Sequence, residues 1–362
     1  MKVGVLGAGQ LGRMLALAGY PLGLRFRFLD PNPESPAAAL GEFIAADYDD
    51  PDALRRFAEG LDVATYEFEN VPASVADYLA GHVPAVHPHY AALAVSQDRL
   101  SEKQLFRRLG IPTAPFAAVD SEDDLARAVD EVGLPAVLKT RRYGYDGKGQ
   151  FVLREAADVH RAWAALGGAP LILEGFVAFE RELSIIAVRG RDGDIVYYPL
   201  SENHHLEGIL RRTIAPAPGV TASLQARAEA SARAVLEEFD YVGVLAIELF
   251  QRGDDLLANE MAPRVHNSGH WTIEGAETSQ FENHLRAICG FPLGSTAPRG
   301  NAAMLNLIGN VPPREAVLTV EGAHLHIYDK APRPGRKLGH VTVVAQDADQ
   351  VAKRFGELER LV

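Results

Sequence analysis

The fold is decided by a stretch that reads VGVLAIELFQRGDDLLANEMAPR from Val242 to Arg264. Two apolar runs flank the turn-forming letters RGDD, which predicts a β-hairpin. If the strands pair symmetrically about Asp254, Glu248 lies directly opposite Glu260, with both side chains on one face. A bulge would change that register, so the facing pair is a prediction that depends on the turn.

Two glutamates side by side on a sheet need a compensating charge, because opposed like charges destabilise the strand pair. Proteins bind Mg²⁺ with one or two carboxylates together with substrate phosphates, which favours Glu248 and Glu260 as metal ligands. On spacing alone, a solvated hairpin face that carries two acids explains the pair equally well.

A polar loop, PRVHNSGHW at residues 263–271, follows the second strand. Six of its nine side chains can hydrogen-bond, and loops at strand ends commonly carry function. Taken alone, the segment is also compatible with an ordinary surface loop. Together, the glutamate pair and this loop resemble the metal-binding strands and the substrate loop of ATP-grasp carboxylate–amine ligases.

The bulk composition indicates a soluble enzyme. The chain has 362 residues, enough for two or three domains, of which 47% are hydrophobic and 23% charged. Its net charge of −12 argues against non-specific nucleic-acid binding. The single cysteine permits no internal disulfide, no apolar run reaches the length of a membrane span, and the first predicted strand leaves no room for a signal peptide. We therefore expect a cytoplasmic protein that binds neither nucleic acid nor membrane.

The N-terminal segment carries the glycine fingerprint of a dinucleotide-binding unit. A predicted strand at 2–6 is followed by Gly7, Gly9 and Gly12, and a second strand ends at Asp30. Formally this pattern predicts nicotinamide binding, and the motif alone favours that interpretation. The competing interpretation is a Rossmann-like domain whose first turn serves another purpose.

Two acids, Glu67 and Glu69, follow the next predicted strand at 62–66. They would lie at the edge of the sheet where open α/β folds bind ligands, although charges that cap the following helix explain them equally well. The last strand of this domain is expected to end at residues 85–86. The proline-rich step at 110–115 indicates a domain boundary.

The middle of the chain contains a glycine-rich loop. A predicted strand at 135–139 ends in Lys139, and glycines follow at positions 144, 147 and 149. Such a loop exposes many backbone N–H groups, which suits it to hold phosphates. Because ordering three glycines is entropically unfavourable, we expect the loop to be mobile without nucleotide and to close over it as a lid. A disordered hairpin tip is the alternative.

A cationic turn follows the last predicted strand, at 323–328. Residues 330–337 contain four cations, two prolines and one glycine. A solvated basic loop is the usual explanation of such a run. The prolines and the glycine instead indicate a shaped turn, which suits a phosphate monoester.

Several motifs together carry a resemblance to one family. They are GAGQLG at 7–12, EFEN at 67–70, GYDGKGQ at 144–150, Asn259-Glu260, RVHNSGHW at 264–271 and RPGRK at 333–337. With them the chain resembles, nearly end to end, the 5-(carboxyamino)imidazole ribonucleotide synthases, ATP-grasp ligases of purine biosynthesis. HNSGHW and RPGRK are the specific motifs, whereas the glycine fingerprint is generic. Tyr143 and Met261 depart from residues common in the family, but neither change removes a polar group.

The resemblance implies an α/β fold of mixed α+β character, namely an ATP-grasp fold in three parts. These are an N-terminal Rossmann-like domain at 1–98, an ATP-grasp domain at 99–291 with a small lid subdomain at about 114–178, and a C-terminal domain at 292–362 that completes the substrate site. A homodimer is also implied.

The resemblance further implies a reaction and a set of site residues. ATP would phosphorylate bicarbonate, and the carboxyphosphate, or carbon dioxide released from it, would carboxylate the exocyclic amine of 5-aminoimidazole ribonucleotide. ATP would be held by Arg99, Lys139, Gly144, Tyr145, Asp146, Gly147, Lys148, Gly149, Gln150, Glu174, Gly175, Phe176, Val177, Glu182, His205, Asn259 and Glu260. Mg²⁺ would bind Glu248 and Glu260. The ribonucleotide would be surrounded by Gln10, Leu11, Glu67, Tyr145, Asp146, Lys148, Asn267, Ser268, Lys330 and Arg336. The catalytic residues would be Arg264, His266 and Lys148, the first two nearest bicarbonate.

Three other functions compete with this one. A related ATP-grasp ligase, such as a formate-dependent glycinamide ribonucleotide transformylase, would share the metal and ATP residues and differ at 264–271 and 330–337. A nicotinamide-dependent oxidoreductase would use the N-terminal fingerprint but leaves the glutamate pair unexplained. A non-catalytic nucleotide-binding subunit disagrees with the apparently complete set of polar residues.

Overall fold

A computed structural model describes residues 1–144 and 149–362 of the chain. The predictions made for Tyr145, Asp146, Gly147 and Lys148 lie outside the described residues. Within the described ranges, no helix is long and apolar enough to cross a membrane.

The N-terminal part is a parallel sheet with helices packed against it. Its elements are β1 (Lys2–Leu6), α1 (Gln10–Gly19), β2 (Arg25–Asp30), β3 (Glu42–Ala45), α2 (Pro51–Ala58), β4 (Val63–Tyr66), α3 (Ala73–Ala80) and α4 (Tyr90–Ser96). The strands follow the order β3-β2-β1-β4. Parallel strands present their carboxyl ends at one edge, so Gly7, Asp30 and Glu67 converge there.

A small antiparallel sheet forms the middle of the chain. After α5 (Arg99–Arg108) come β5 (Phe116–Val119), α6 (Glu122–Val132), β6 (Ala136–Thr140), β7 (Gln150–Leu153), α7 (Asp158–Leu166) and β8 (Leu171–Gly175). The strand order is β5-β8-β6-β7. Helix α6 begins as predicted, because the side chain of Ser121 accepts a hydrogen bond from the backbone N–H of Asp124.

A large, mainly antiparallel sheet contains the rest of the strands. Its elements and those packed around it are β9 (Arg181–Arg189), β10 (Ile195–Tyr197), β11 (Ser201–Leu206), β12 (Ile209–Ala215), α8 (Ala222–Glu238), β13 (Gly243–Arg252), β14 (Asp255–Ala262), α9 (Thr272–Gly275), α10 (Gln280–Cys289), β15 (Asn301–Ile308), α11 (Arg314–Leu318), β16 (Ala323–Ile327), β17 (Lys337–Ala345) and α12 (Ala348–Glu359). The order is β14-β13-β9-β11-β12-β15-β17-β16, with β10 paired to β9. Because β12 pairs with β15, the sheet runs without a break across the predicted boundary at residue 291.

One hydrophobic core joins the N-terminal sheet to the large sheet. It contains Val5 and Phe28 from the first part together with Ile186, Trp271 and Phe281 from the second, all 2% exposed or less. Helix α10 lies between the two sheets and supplies Phe281. This packing fixes the converging strand ends of the N-terminal part relative to the hairpin that carries the paired glutamates.

The structure confirms most predicted elements and corrects two details. Residues 85–86 form no strand; Val86 makes an isolated parallel bridge to Ala64. The hairpin is not symmetric about Asp254, since Arg252 pairs with Asp255 around a two-residue turn. A bulge at Asn259 then restores the predicted partnership of Glu248 with Glu260.

Candidate functional site

The two glutamates lie side by side on β13 and β14, in the part of the hairpin beyond the bulge. Their surroundings shift the pKa values of the two carboxyl groups in opposite directions. Burial raises the pKa of Glu248, and the negative charge of Glu260 raises it further. Burial also opposes ionisation of Glu260, but Arg99 outweighs this and lowers the pKa of that carboxyl. One full negative charge is therefore stable at the pair, and a second one calls for an added cation.

Arg99, at the first turn of α5, supplies the permanent cation. Its Nη1 donates to Oε2 of Glu260 at 2.9 Å, and its Nη2 donates to the carbonyl of Gly144 at 3.3 Å. The same residue thus touches the predicted metal site and the start of the glycine-rich loop. On the far side of that loop, the carbonyl of Gly149 accepts from Thr140, and Gln150 pairs with Lys139.

A buried cluster links the small sheet to this site. Lys139 and Lys103 both approach Oε2 of Glu174, at 3.1 and 3.3 Å. Burial opposes ionisation of Glu174, but the two lysines prevail and lower its pKa to about 2. Its other oxygen, Oε1, is buried without a hydrogen-bond partner among the residues that the structure describes. An acceptor of this kind indicates a missing donor from a ligand.

The segment after Glu174 lies at the surface between the two sheets. The backbone N–H groups of Gly175 and Phe176 donate to the carbonyls of Pro115 and Pro135, respectively. The N–H of Phe179 donates to the carbonyl of Val177. The side chain of Phe176 is 51% exposed. An exposed aromatic ring two residues after Glu174 is suited to cover a flat heterocyclic base.

Glu182 and His205 form a second polar pair, on neighbouring strands of the large sheet. Nδ1 of His205 contacts Oε2 of Glu182. Burial disfavours protonation of His205, but Glu182 and Glu248 outweigh it and raise the pKa of the imidazole. Lys337, at the start of β17, adds a positive charge that acts on His205 and Glu248. Lys337 was not among the residues predicted for the site.

The polar loop after β14 begins with an ion pair to the N-terminal part. Nε of Arg264 donates to Oε2 of Glu69 at 2.5 Å, and its Nη1 donates to the carbonyl of Val265. Burial opposes ionisation of Glu69, but Arg264 lowers its pKa to about 2. Within the described ranges, Nη2 of Arg264 makes no hydrogen bond, so one edge of the guanidinium remains available to an anion.

His266 is held neutral at the centre of the site. Burial and, to a smaller extent, the positive charge of Arg264 together lower its pKa to about 3. Its Nδ1 accepts from the backbone N–H of Ser268 and lies 2.8 Å from the Ser268 hydroxyl, whereas Nε2 lies 3.5 Å from Oε1 of Glu248. This network places the proton on Nε2, directed at the glutamate. Gln280 fixes the loop, because its amide bonds both the backbone N–H and the carbonyl of His266.

Asn267 makes a reciprocal amide pair with Asn306 of β15. The two Nδ2–Oδ1 distances are 3.1 and 2.6 Å, and Asn306 also donates to the carbonyl of Leu210. The polar loop is therefore fastened to the centre of the large sheet. Sequence reasoning missed Asn306, because no local pattern distinguishes it from other strand residues.

A side-chain hydrogen bond joins the C-terminal cationic turn to the start of α1. Nζ of Lys330, in the cationic turn, donates to Oε1 of Gln10 at the start of α1. Burial lowers the pKa of Lys330 to about 8, while Glu67 opposes this fall. Arg336 lies in the same turn and donates to the carbonyl of Ala331 at 3.2 Å. Leu11 packs in the core, so a ligand would meet its backbone N–H in the first turn of α1 rather than its side chain.

The glycine fingerprint is occupied by the protein itself. The backbone N–H groups of Gly9 and Gly12 each donate to the buried carboxylate of Glu67 at 2.5 Å. A Cβ added to Gly9 would lie 2.5 Å from Oε1 of Glu67, which explains the glycine. Asp30, the acid that would hold a ribose in a dinucleotide site, instead accepts from Ala8 and Ser35. Two of the backbone donors that would bind a pyrophosphate, those of Gly9 and Gly12, are therefore already used.

The donor set fits a hard divalent cation. Glu248 and Glu260 offer carboxylate oxygens, and Oδ1 of neighbouring Asn259 is buried without a partner among the described residues. Oxygen ligands of this kind suit Mg²⁺. In the described part of the chain, no group of three or more His, Cys, Asp and Glu side chains could hold a metal. An ion at this pair would thus rely on further oxygens, which nucleotide phosphates provide.

Three families of domains match successive parts of the chain. The ribonucleotide synthetase preATP-grasp domain matches residues 1–97, the ATP-grasp domain residues 104–281, and the phosphoribosylaminoimidazole carboxylase C-terminal domain residues 302–354. The predicted fold class, an ATP-grasp fold with an N-terminal Rossmann-like domain and a C-terminal domain, is confirmed by these matches.

Relatives of known name match over the whole chain. The N5-carboxyaminoimidazole ribonucleotide synthase of Pseudomonas aeruginosa is 56% identical and covers 100% of this chain and 99% of its own length. The crystal structure of the synthetase from Thermus thermophilus has a TM-score of 0.96 at 59% identity, covering 99% and 98% of the two chains. The Aspergillus clavatus synthase, in complex with ADP and 5-aminoimidazole ribonucleotide, has a TM-score of 0.91 at 32% identity, covering 99% and 98%.

The occupied fingerprint leads to a prediction about nucleotide choice. We expect isothermal titration calorimetry to detect binding of ADP in the presence of Mg²⁺ and no binding of NAD, because Glu67 fills the N–H groups that a dinucleotide would need. A Lys139→Met variant should lose most ADP affinity. Tight NAD binding without ADP binding would contradict this assignment of the two sites.

Proposed function

We propose that this chain, which belongs to the N5-carboxyaminoimidazole ribonucleotide synthase family, carboxylates 5-aminoimidazole ribonucleotide with ATP and bicarbonate in purine biosynthesis. The observation that carries the proposal is the contact between the glutamate pair and the polar loop, where Nε2 of His266 lies 3.5 Å from Oε1 of Glu248. It supports the proposal because the glutamate pair that would face the ATP phosphates then lies beside the loop of Arg264, a residue suited to a small planar anion.

The reaction divides into two transfers. In the first, an oxygen of bicarbonate attacks the γ-phosphorus of ATP, the bond to the β-phosphate oxygen breaks, and ADP leaves. In the second, the exocyclic amine forms a bond to the carbon of carboxyphosphate, or to carbon dioxide released from it. Phosphate departs with the electron pair of the broken C–O bond, and the amine nitrogen loses one proton.

Phosphoryl transfer needs positioning and charge more than covalent help. Arg99, Lys139, Glu174 and the residues that flank the glycine-rich loop would hold ATP, with Oε1 of Glu174 as an acceptor for the nucleotide. Glu248 and Glu260 would hold Mg²⁺, which would neutralise charge on the phosphates. Glu182 on β9 and His205 on β11 contact each other, and both would also bind the nucleotide.

Arg264 is the residue best placed for bicarbonate. Its Nε side is anchored to Glu69, so its remaining Nη2 edge is presented in a fixed orientation, and two parallel N–H groups match a planar carboxylate. His266, neutral and pinned to Ser268 and Glu248, would fix the loop around the anion instead of accepting a proton through Nε2. Lys148, the remaining predicted catalytic residue, lies outside the described residues.

The ribonucleotide would bind where the two ends of the chain meet. Lys330 and Arg336 would contact its 5′-phosphate, and Gln10, Leu11, Glu67, Asn267 and Ser268 would surround its ribose and base. The Lys330–Gln10 contact supports this arrangement, because it joins the cationic turn to the helix that begins beside Glu67.

The oligomeric state, the location, the metal and the domain bounds are part of the same proposal. We infer a homodimer in the cytoplasm, Mg²⁺ as the metal, and three domains at 1–98, 99–291 and 292–362, with a lid subdomain at about 114–178 inside the second. Closure of the loop at 144–150 over the nucleotide, which would protect carboxyphosphate from water, stays a prediction, because residues 145–148 lie outside the described part of the chain.

A phosphate-release assay tests the proposed function. Phosphate should appear with ATP, Mg²⁺ and bicarbonate at a low rate, and much faster when 5-aminoimidazole ribonucleotide is added, with one carboxylated product formed for each phosphate. Turnover that requires formate and glycinamide ribonucleotide instead would contradict the proposal.

Replacement of one metal ligand should separate catalysis from folding. Glu260→Gln removes one of the two carboxylates that we propose as ligands of the ion, so we expect turnover to fall by about two orders of magnitude or more. The melting temperature should stay close to wild type. Asp255→Asn, an equal charge change at the exposed turn of the same hairpin, is the control. Full Mg²⁺-dependent activity of Glu260→Gln would refute the metal assignment.

Replacement of a cation in the C-terminal turn should affect one substrate only. A charge-assisted contact to phosphate contributes roughly 1.5–3 kcal/mol, so Arg336→Ala should raise the KM for the ribonucleotide by about one to two orders of magnitude. The KM for ATP should change much less. Arg333→Ala, in the same turn, is the matched control and should have a smaller effect. Equal rises in both KM values for Arg336→Ala would show that the turn serves ATP or the fold.

A further inference from the structure

The outer edge of β14 is covered by ionisable side chains of helix α5 and by residues 112–113. In the described sheet order β14 is a terminal strand, and such an edge leaves backbone groups without a strand partner. The N–H of Ala258 donates to the carbonyl of Pro112. Beyond that bond, the ammonium group of Lys103 binds two carbonyls of β14 and the carboxyl group of Glu102 accepts from one N–H. The arrangement surrounds Asn259 and Glu260, the residues predicted to face metal and nucleotide.

Lys103 is almost completely buried, with 1% of its surface exposed. Its Nζ donates to the carbonyls of Ala258 and Asn259 at 3.1 and 2.7 Å, and it lies 3.3 Å from Oε2 of Glu174. Burying an ammonium group is unfavourable unless its partners are in place. This lysine therefore fixes the separation between the strand that carries Glu260 and the strand that carries Glu174.

Glu102 holds the other side of the same segment. It is 2% exposed, and its Oε1 accepts from the backbone N–H of Met261 at 2.7 Å. Lys103 binds the chain just before Glu260, and Glu102 binds it just after. Arg99, one turn earlier on the helix, binds the carboxylate of Glu260 itself.

The bulge explains why this segment needs external support. Asn259 is the extra residue, so the ladder between β13 and β14 is interrupted next to Glu260. A bulged edge strand has freedom that a paired strand lacks, whereas a metal ligand has to stay within about 0.5 Å of its working position. Contacts from α5 replace the restraint that the ladder does not provide.

We propose that Lys103 and Glu102 are positioning residues that hold Asn259 and Glu260 in register for metal-bound nucleotide, and that Lys103 sets the distance from this strand to Glu174. The proposal rests on the proposed function for the identity of the reaction. It concerns residues that touch neither substrate nor metal and that act through the backbone of β14 and through Glu174.

Lys103→Met is the first variant. It keeps the length and most of the apolar volume of the side chain but removes the donor. Glu174 retains Lys139 as a partner, so the substitution leaves no carboxylate unpaired in the interior. Lys103→Arg restores a cation. Arg108→Met, near the end of the same helix with its side chain 60% exposed, is the matched surface control.

The measurements are the apparent activation constant for Mg²⁺, the KM for ATP, the KM for the ribonucleotide and the calorimetric affinity for Mg²⁺–ADP. Residues behind metal ligands typically change metal affinity by about 10- to 100-fold. In Lys103→Met we expect both the Mg²⁺ constant and the KM for ATP to rise by about tenfold or more, with the KM for the ribonucleotide within about twofold of wild type. Lys103→Arg should recover part of the loss, and Arg108→Met should match wild type.

Glu102 provides a second test that does not depend on the lysine variant folding. Glu102→Gln keeps an acceptor oxygen for Met261 and should leave the Mg²⁺ constant within about threefold of wild type, whereas Glu102→Met removes the acceptor and should raise it by about tenfold. A folded Lys103→Met or Glu102→Met protein with wild-type constants for Mg²⁺ and ATP would overturn the proposal. So would equal rises in the KM values for ATP and the ribonucleotide. If the wild-type protein binds Mg²⁺–ADP but does not consume the ribonucleotide, the proposed function fails, while the calorimetric comparison still decides the positioning role.

Discussion

The site depends on two glutamates that face each other across one pair of strands. Residues directly opposite in a sheet have Cβ atoms about 5 Å apart, and two unit charges at that distance repel by roughly 3 kcal/mol at an effective dielectric constant of about 20. The protein meets this repulsion in part, with Arg99 on Glu260 and a raised pKa for Glu248. A divalent cation would neutralise the remaining repulsion between the two glutamates. Because the pair supplies two carboxylates and such a cation needs more oxygen ligands, we expect it to bind together with nucleotide phosphates.

Other charged contacts arrange the substrates around that pair, and each joins segments far apart in sequence. Arg264 bonds Glu69 across 195 residues, and Lys330 bonds Gln10 across 320. The ribonucleotide site that we propose therefore exists only when the N-terminal sheet, the hairpin and the C-terminal turn are packed together. The shared core around Trp271 and Phe281 provides that packing. The carboxyl group of Glu67 has a related role, because it accepts from the N–H groups of the glycine fingerprint that a dinucleotide would need.

The sequence predicted the elements and the fold class well, because local patterns determine both. The pairing of Glu248 with Glu260 was right, although the symmetric turn on which it was based was wrong; a two-residue turn and a bulge together give the same partners. The strand predicted to end at residues 85–86 was wrong, because a short apolar segment that makes a single bridge looks like a strand in the sequence. The residues that fasten the site, Lys103, Gln280 and Asn306, were missed because their roles come from contacts made over long sequence distances. A lysine and a glutamate at adjacent positions of an amphipathic helix look like ordinary surface charges until the edge of β14 is placed against them. The hydrogen bonds of Glu67 to Gly9 and Gly12 could not be predicted from the local sequence either, because helix capping and ligand binding explained this residue equally well.

We propose that this site activates bicarbonate by phosphorylation before the amine is carboxylated. Bicarbonate labelled with ¹⁸O tests it most directly, in a short reaction with ATP and 5-aminoimidazole ribonucleotide followed by mass spectrometry of the released phosphate. If an oxygen of bicarbonate attacks the γ-phosphorus, that oxygen stays with phosphorus when the C–O bond breaks, and the phosphate carries one ¹⁸O atom. Phosphate free of label, formed together with carboxylated product under the same conditions, would mean that ATP is hydrolysed by water and would contradict the account.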